Sequence, residues 1–158
     1  LRNIMQFEIK KNVIDRALAF HKLREDQSDV IKILSCVGGL DIAAMCGVYI
    51  GAAIYRIPAV IDGFISIVAA LCAVRLCPAV RDYLFPSHLS EEKGYLIAAK
   101  ALDLEPWLAL DMRLGEGSGC VLAFCVIEAA CAMINGMGSF ATNGIDDGYL
   151  EDIRKSVN

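Results

Sequence analysis

No C-x-x-C pair occurs in this sequence, and neither histidine, His21 or His88, stands at zinc-ligand spacing from a cysteine. The seven cysteines (36, 46, 72, 77, 120, 125 and 131) are odd in number, and most sit inside apolar stretches such as LCAVRLC, CVLAFC and AACAM. Such a set excludes a disulfide framework or a structural zinc site and reads as reduced thiols packed as small hydrophobes. The reducing compartment implied is the cytoplasm. Positive charge is not in surplus either. Fifteen Lys and Arg face nineteen Asp and Glu, for a net charge of −4, and no basic stripe carries interleaved aromatics, which excludes a nucleic-acid footprint. Uninterrupted apolar runs of membrane-spanning length are also lacking. Residues 57–80 are broken by Pro58, Asp62–Gly63, Arg75 and Pro78, while 119–134 carries Glu128 and is short for a bilayer. Neither run has the flanking basic bias of a span, and the first residues are charged, unlike a secretion signal.

What is present is a chain with 56% apolar and 22% charged residues and a mean hydropathy of +0.51. Its length suits a single domain over 1–158, and a domain of this size buries about 70% of its unfolded surface.

Residues 8–24 set Ile9, Val13, Ala17 and Phe20 at helical spacing, which predicts an amphipathic helix with a basic outer face. Ser28 is placed to cap a short helix over DVIKILSC, ended by Gly38–Gly39. The small residues of GLDIAAMCGVYIGAAIY predict a closely packed, buried helix. At IPAVIDG the period switches. A short β-branched run ending in Asp–Gly predicts a parallel strand over about 57–62, buried on both faces, with its polar residues at the carboxyl end where open α/β sheets place ligands. Helix resumes over 64–77. In PSHLSEEKG, His88 falls in a loop and Ser90 is positioned as N-cap of a helix running to about Ala101. Leu102–Arg113 alternates weakly, predicting loop plus a second short strand near 107–112. An apolar helix over 119–135 and a polar helix or frayed end in IDDGYLEDIRKSVN complete the chain. The fold class expected is therefore α/β and Rossmann-like, predominantly helical, with one or two short strands.

Three places carry usable chemistry. Asp62–Gly63 ends the first strand, Ser90 begins a helix, and Glu116 sits in RLGEGSG, residues 113–119, flanked by Gly115 and Gly117 just before another helix. Helix N-termini attract anions, so a phosphate fits near Gly63 and Ser90 with a lysine to balance its charge. A carboxylate enclosed by apolar groups holds its proton to higher pH and can exchange it near neutrality. The plainer alternatives stay open: Ser90 as a cap, Asp62 as a turn residue, and Glu116 as a solvated loop residue before a helix that starts at Gly119. No Ser/His/Asp or Cys/His arrangement is evident.

The ordered blocks VGGLDIAAMCGVYIGAA, PAVIDGFI, SHLSEEKG, LDMRLGEGSG and IEAACAMINGMGSF resemble the nicotinate-nucleotide:dimethylbenzimidazole phosphoribosyltransferases of cobalamin biosynthesis over roughly residues 8–145. The resemblance implies transfer of phosphoribose from nicotinate mononucleotide to 5,6-dimethylbenzimidazole, with inversion at the anomeric carbon, giving α-ribazole 5′-phosphate and nicotinate. It implies Glu116 as general base, Gly63, Ser90 and Lys10 (with Lys11 as the other register) at the phosphate, Asp62 at the ribose or the Gly63 loop, and Leu114, Gly115 and Gly117 against the aromatic base. It implies no metal or organic cofactor, no nucleic-acid or membrane partner, and a homodimer. The chain resembles only the C-terminal half of that family, because the glycine-rich block G-E-M-G-I-G-N-T-T is absent. The expectation is thus a half-site without turnover by itself. Transfer to adenine or a phenolic acceptor, and a non-enzymatic helical packing or dimerisation module, are the alternatives.

Overall fold

The computed structural model describes residues 2–25, 29–140, 142–144 and 148. Ser28 and, Gly148 apart, the tail from residue 145 onward lie outside the described residues. The elements run α1 (Arg2–Phe20), α2 (Val30–Val37), α3 (Leu40–Ile54), β1 (Ala59–Ile61), α4 (Phe64–Leu76), a 3-10 helix (Pro78–Tyr83), β2 (Leu84–Pro86), β3 (His88–Ser90), α5 (Tyr95–Ala101), β4 (Leu108–Met112) and α6 (Ser118–Gly136). Two compact units result, 1–123 and 124–158. The second contains the rest of α6 and a turn in which Ser139 and Thr142 exchange hydrogen bonds.

Both expected strands form, β1 and β4, and two more form beside them. β1 pairs in parallel with β2, and β3 pairs in parallel with β4. Each pair is a strand–helix–strand unit, the first crossing through α4 and the second through α5. Ser87 joins the two ladders, donating its N–H to the Ile61 carbonyl at 3.0 Å and accepting the Leu108 N–H at 3.3 Å. Parallel neighbours point their carboxyl ends the same way, so Ile61, Ser90 and Met112 end on one side.

The core of the first unit sits where α4 packs against α3, α5 and the 3-10 helix. Ile61, Ile67, Val80 and Tyr95 are fully buried, and burying a large aliphatic side chain contributes about 1.5–3 kcal/mol. Ala69, Ala70 and Ala73 are equally buried; with side chains this small, α4 packs closely against its neighbours.

Several expectations need correction. Ser90 does not cap a helix. It ends β3, and the ladder continues through the Glu91 N–H to the Met112 carbonyl, so the helix waits until Tyr95, with Gly94 as its N-cap. His88 is not a loop residue but lies in β3, 1% exposed. The cap of α2 is Asp29, whose carboxylate accepts the Lys32 N–H at 2.9 Å. α1 forms, yet Ile9, Val13 and Phe20 remain exposed, because no described element covers that face. α3 is buried only in part, at Cys46 and Tyr49, while Val48 and Ile54 are exposed. α6 is longer than expected, at 19 residues with a mean hydropathy of 1.8, enough to cross a membrane by length and composition alone.

Candidate active site at the carboxyl ends of the strands

The three carboxyl ends open into one cavity of about 730 Å³. β1 delivers Asp62 and Gly63 to it, β3 delivers Ser90, and β4 runs out into Arg113–Gly117. Phe64, Ile65 and Ser66, the first turn of α4, line it as well, so the positive end of that helix's macrodipole faces the cavity. Gly63 is the N-cap of α4 and a Cβ there would meet nothing within 4 Å, which leaves the helix terminus open to an incoming anion.

The Glu116 loop has an unusual backbone. Gly115, Glu116 and Gly117 follow one another with φ of 76°, 58° and 76°. A side chain at Gly117 would have open space, and at Gly115 only the Asp62 carboxylate lies within 4 Å, so conformation rather than crowding calls for glycine at both. Glu116 alone in the run bears a Cβ, at a cost of about 1–2 kcal/mol. What holds it is Asp62. One carboxylate oxygen accepts the Gly117 N–H at 3.1 Å and the other accepts the Gly119 N–H at 2.8 Å. Hydrogen bonds to a charged group contribute about 1.5–3 kcal/mol each, enough together to outweigh the strain. Ser118 closes the turn from within, its N–H and hydroxyl both donating to the Gly115 carbonyl, at 3.0 and 2.7 Å.

Beneath the start of α6 lies a buried polar group. His88 Nδ1 is 3.0 Å from Ser87 Oγ and 3.9 Å from an Asp62 carboxylate oxygen, and Ser87 is itself fully buried. The His88 ring stacks on Tyr95 with centroids 6.5 Å apart. Burial, with the charge of Asp62 next, raises the Tyr95 hydroxyl to about 12. The Cys120 thiol, which donates to the Val60 carbonyl, is raised by the same two causes in the same order.

The structure therefore brings Asp62, Gly63, Ser90, Leu114, Gly115, Glu116 and Gly117 to one cavity. Lys10 is not brought there; it lies exposed on α1, and Lys11 pairs with Glu8 at 3.5 Å. Among the described residues the cation lining the cavity is Arg113, 3.4 Å from Glu91. Sequence reasoning passed over it, although it opens the RLGEGSG motif. Asp62 faces the Glu116 loop rather than standing only as a strand-end turn residue. Glu116 and Leu114 are exposed, so the apolar enclosure expected around the carboxyl is not supplied by the described residues. Serine, histidine and aspartate do meet here, contrary to the sequence reading, but both oxygen atoms approach the same ring nitrogen, which leaves no activated serine nucleophile.

The family profile described as Phosphoribosyltransferase matches residues 3–145. The nicotinate-nucleotide–dimethylbenzimidazole phosphoribosyltransferase of Clostridium perfringens is 54% identical over 152 residues, covering 96% of this chain and 42% of that protein. Its Yersinia enterocolitica counterpart is 50% identical over 141 residues, covering 89% and 40%. The crystal structure of the Thermus thermophilus enzyme of the same name superposes with a TM-score of 0.70 at 40% identity, over 75% of this chain and 36% of that one. The chain thus spans about two fifths of the length of the curated relatives it matches. With a profile match over most of its length and this degree of identity, the chain belongs to the nicotinate-nucleotide–dimethylbenzimidazole phosphoribosyltransferase family.

Proposed function

We propose that this chain carries the proton-accepting and phosphate-holding side of a site that moves phosphoribose from nicotinate mononucleotide to 5,6-dimethylbenzimidazole. One ring nitrogen of the benzimidazole attacks the anomeric carbon from the face opposite nicotinate. The carbon–nitrogen bond to nicotinate breaks with its electron pair going to the pyridine ring, and the configuration inverts. Attack leaves the benzimidazole cationic unless its other nitrogen gives up a proton, and the Glu116 carboxylate takes that proton. Gly115 and Gly117 keep the carboxylate bare, so a flat ring can reach it, with Leu114 against the ring. The phosphate rests at Gly63, the first turn of α4 and the Ser90 hydroxyl, with Arg113 as countercharge in place of Lys10. No cofactor enters this balance.

The observation that carries the proposal is the pinned loop. Asp62 fixes Glu116 beside the cavity that the helix terminus and Ser90 share. The exposure of Glu116 and Leu114 supports a site completed by residues beyond those described, in the remaining length of the relatives. We place the protein in the cytoplasm, where thiols stay reduced, and read it as a homodimer. A chimera joining this chain to the rest of the Clostridium perfringens relative provides the test. It should form α-ribazole 5′-phosphate, Glu116→Gln should lower its kcat by roughly 10²–10⁴-fold, and the chain alone should form none. Unchanged kcat in the Gln variant, or turnover by the chain alone, overturns the proposal.

A further inference from the structure

We infer that His88 and Ser87 are positioning residues that set the Glu116 loop through Asp62, an inference resting on the reading of Glu116 as proton acceptor. Ser87 Oγ lies 3.4 Å from the Asp62 backbone carbonyl and donates its one hydrogen there. The 3.0 Å contact between Ser87 Oγ and His88 Nδ1 therefore needs the ring N–H as donor. A connected chain results: His88 Nδ1–H donates to Ser87 Oγ, Ser87 Oγ–H donates to the Asp62 carbonyl, and the Asp62 carboxylate accepts the N–H groups of Gly117 and Gly119. The carboxylate is 3.9 Å from the same Nδ1–H, so the ring N–H also faces its charge. Every hydrogen-bonding atom in the chain that lacks water must be satisfied within it, since His88 and Ser87 are 1% and 0% exposed.

The packing is equally tight. A Cβ on Gly119 would stand 2.0 Å from His88 Nδ1 and 2.8 Å from Ser87 Oγ, so α6 begins directly against the imidazole. Glu116 lies one residue from a glycine whose N–H Asp62 holds, in a left-handed conformation it would leave if released. Neither His88 nor Ser87 lines the cavity, and any effect on proton transfer passes through the backbone.

Amide hydrogen exchange on the chain itself tests this. In His88→Phe, which keeps a flat ring and loses the donor, and in Ser87→Ala, the Gly117 and Gly119 amides should exchange roughly tenfold faster, while the amides of α5 stay unchanged. His88→Asn, whose amide reaches the Nδ1 position, should restore slow exchange. Glycine amides as slow as in the unmodified chain, or α5 loosening to the same degree, overturn the inference. If His88→Phe does not fold, Ser87→Ala and His88→Asn carry the comparison. In the chimera, Ser87→Ala should lower kcat about tenfold with the KM for nicotinate mononucleotide within about twofold. A rise in KM alone overturns the positioning role. An unmodified chimera without activity counts against the proposed function only, because the exchange measurement decides the coupling by itself.

Discussion

Asp62 and Gly119 stand 57 residues apart in sequence and are joined by a carboxylate–amide bond of 2.8 Å. The same carboxylate reaches Gly117, so one side chain at the end of β1 ties down both the Glu116 loop and the first turn of α6. Asp62→Asn is the sharpest probe of that tie. An amide can offer an oxygen to one of the two N–H groups, but its NH2 then faces the other, leaving a half-buried donor unmade. The loss should be about 2 kcal/mol, seen as a lower urea midpoint with an unchanged slope. Stability equal to that of the unmodified chain would mean the two bonds contribute nothing.

Gly119→Ala should destabilise, against the usual sign. In an ordinary helix interior the exchange gains up to about 1 kcal/mol. Here the new methyl meets His88 at 2.0 Å and Ser87 at 2.8 Å, and both are fully packed, so overpacking of about 1–3 kcal/mol wins. Gly136→Ala, at the other end of α6 with nothing within 4 Å, is the control and should be neutral or stabilising. Matching thermal shifts in the two variants would remove the close approach from the account.

Glu116→Gly should separate stability from chemistry. Glycine adopts φ of 58° without the Cβ penalty, so the variant should be at least as stable as the parent, gaining up to about 1 kcal/mol after the unfolded-state entropy of glycine is subtracted. Turnover in the chimera should be lost. A variant that is both less stable and active would reverse the reading of Glu116 as a strained functional residue.

The parts of this site legible in the sequence were those with local signals. The switch from helical spacing to the β-branched IPAVIDG marked β1 and its polar carboxyl end, and glycine on both sides of Glu116 marked a permissive backbone, which in the structure is a run of positive φ. β4 showed through its weak alternation. What escaped was held by distant partners. The stretch SHLS looks like loop because serine is mostly exposed, and Ser87 and His88 are buried here because they bond to each other and Ser87 bonds to the carbonyl of Asp62, past the end of another strand, whose carboxylate faces the imidazole. Ser90 followed by two glutamates imitates a helix start, yet pairing with β4 keeps it extended. The amphipathic pattern of α1 specified a helix correctly and said nothing about what covers it.

Alkaline pH should act through two tyrosines. Burial raises the Tyr49 hydroxyl to about 12, with Cys120 adding to it, and burial followed by the charge of Asp62 does the same for Tyr95. Between an unfolded value of 10 and a folded value of about 12, the native state keeps protons that the unfolded chain releases. The associated stability is therefore present below pH 10 and falls as pH rises through 12, by roughly 2 kcal/mol for each group at pH 12. Denaturant midpoints taken at intervals from pH 9 to about 12 would show that fall. Tyr95 adds a feature that Tyr49 does not share. Its hydroxyl is buried with no hydrogen-bond partner among the described residues, whereas Tyr49 has Ser66. Tyr95→Phe removes an unmade hydrogen bond and an alkaline liability together, so it should be neutral or stabilising at pH 7 and flatten the loss above pH 10. A Phe variant markedly less stable at neutral pH would show that the Tyr95 hydroxyl has a partner after all, and that the polar group under α6 extends one residue further than His88.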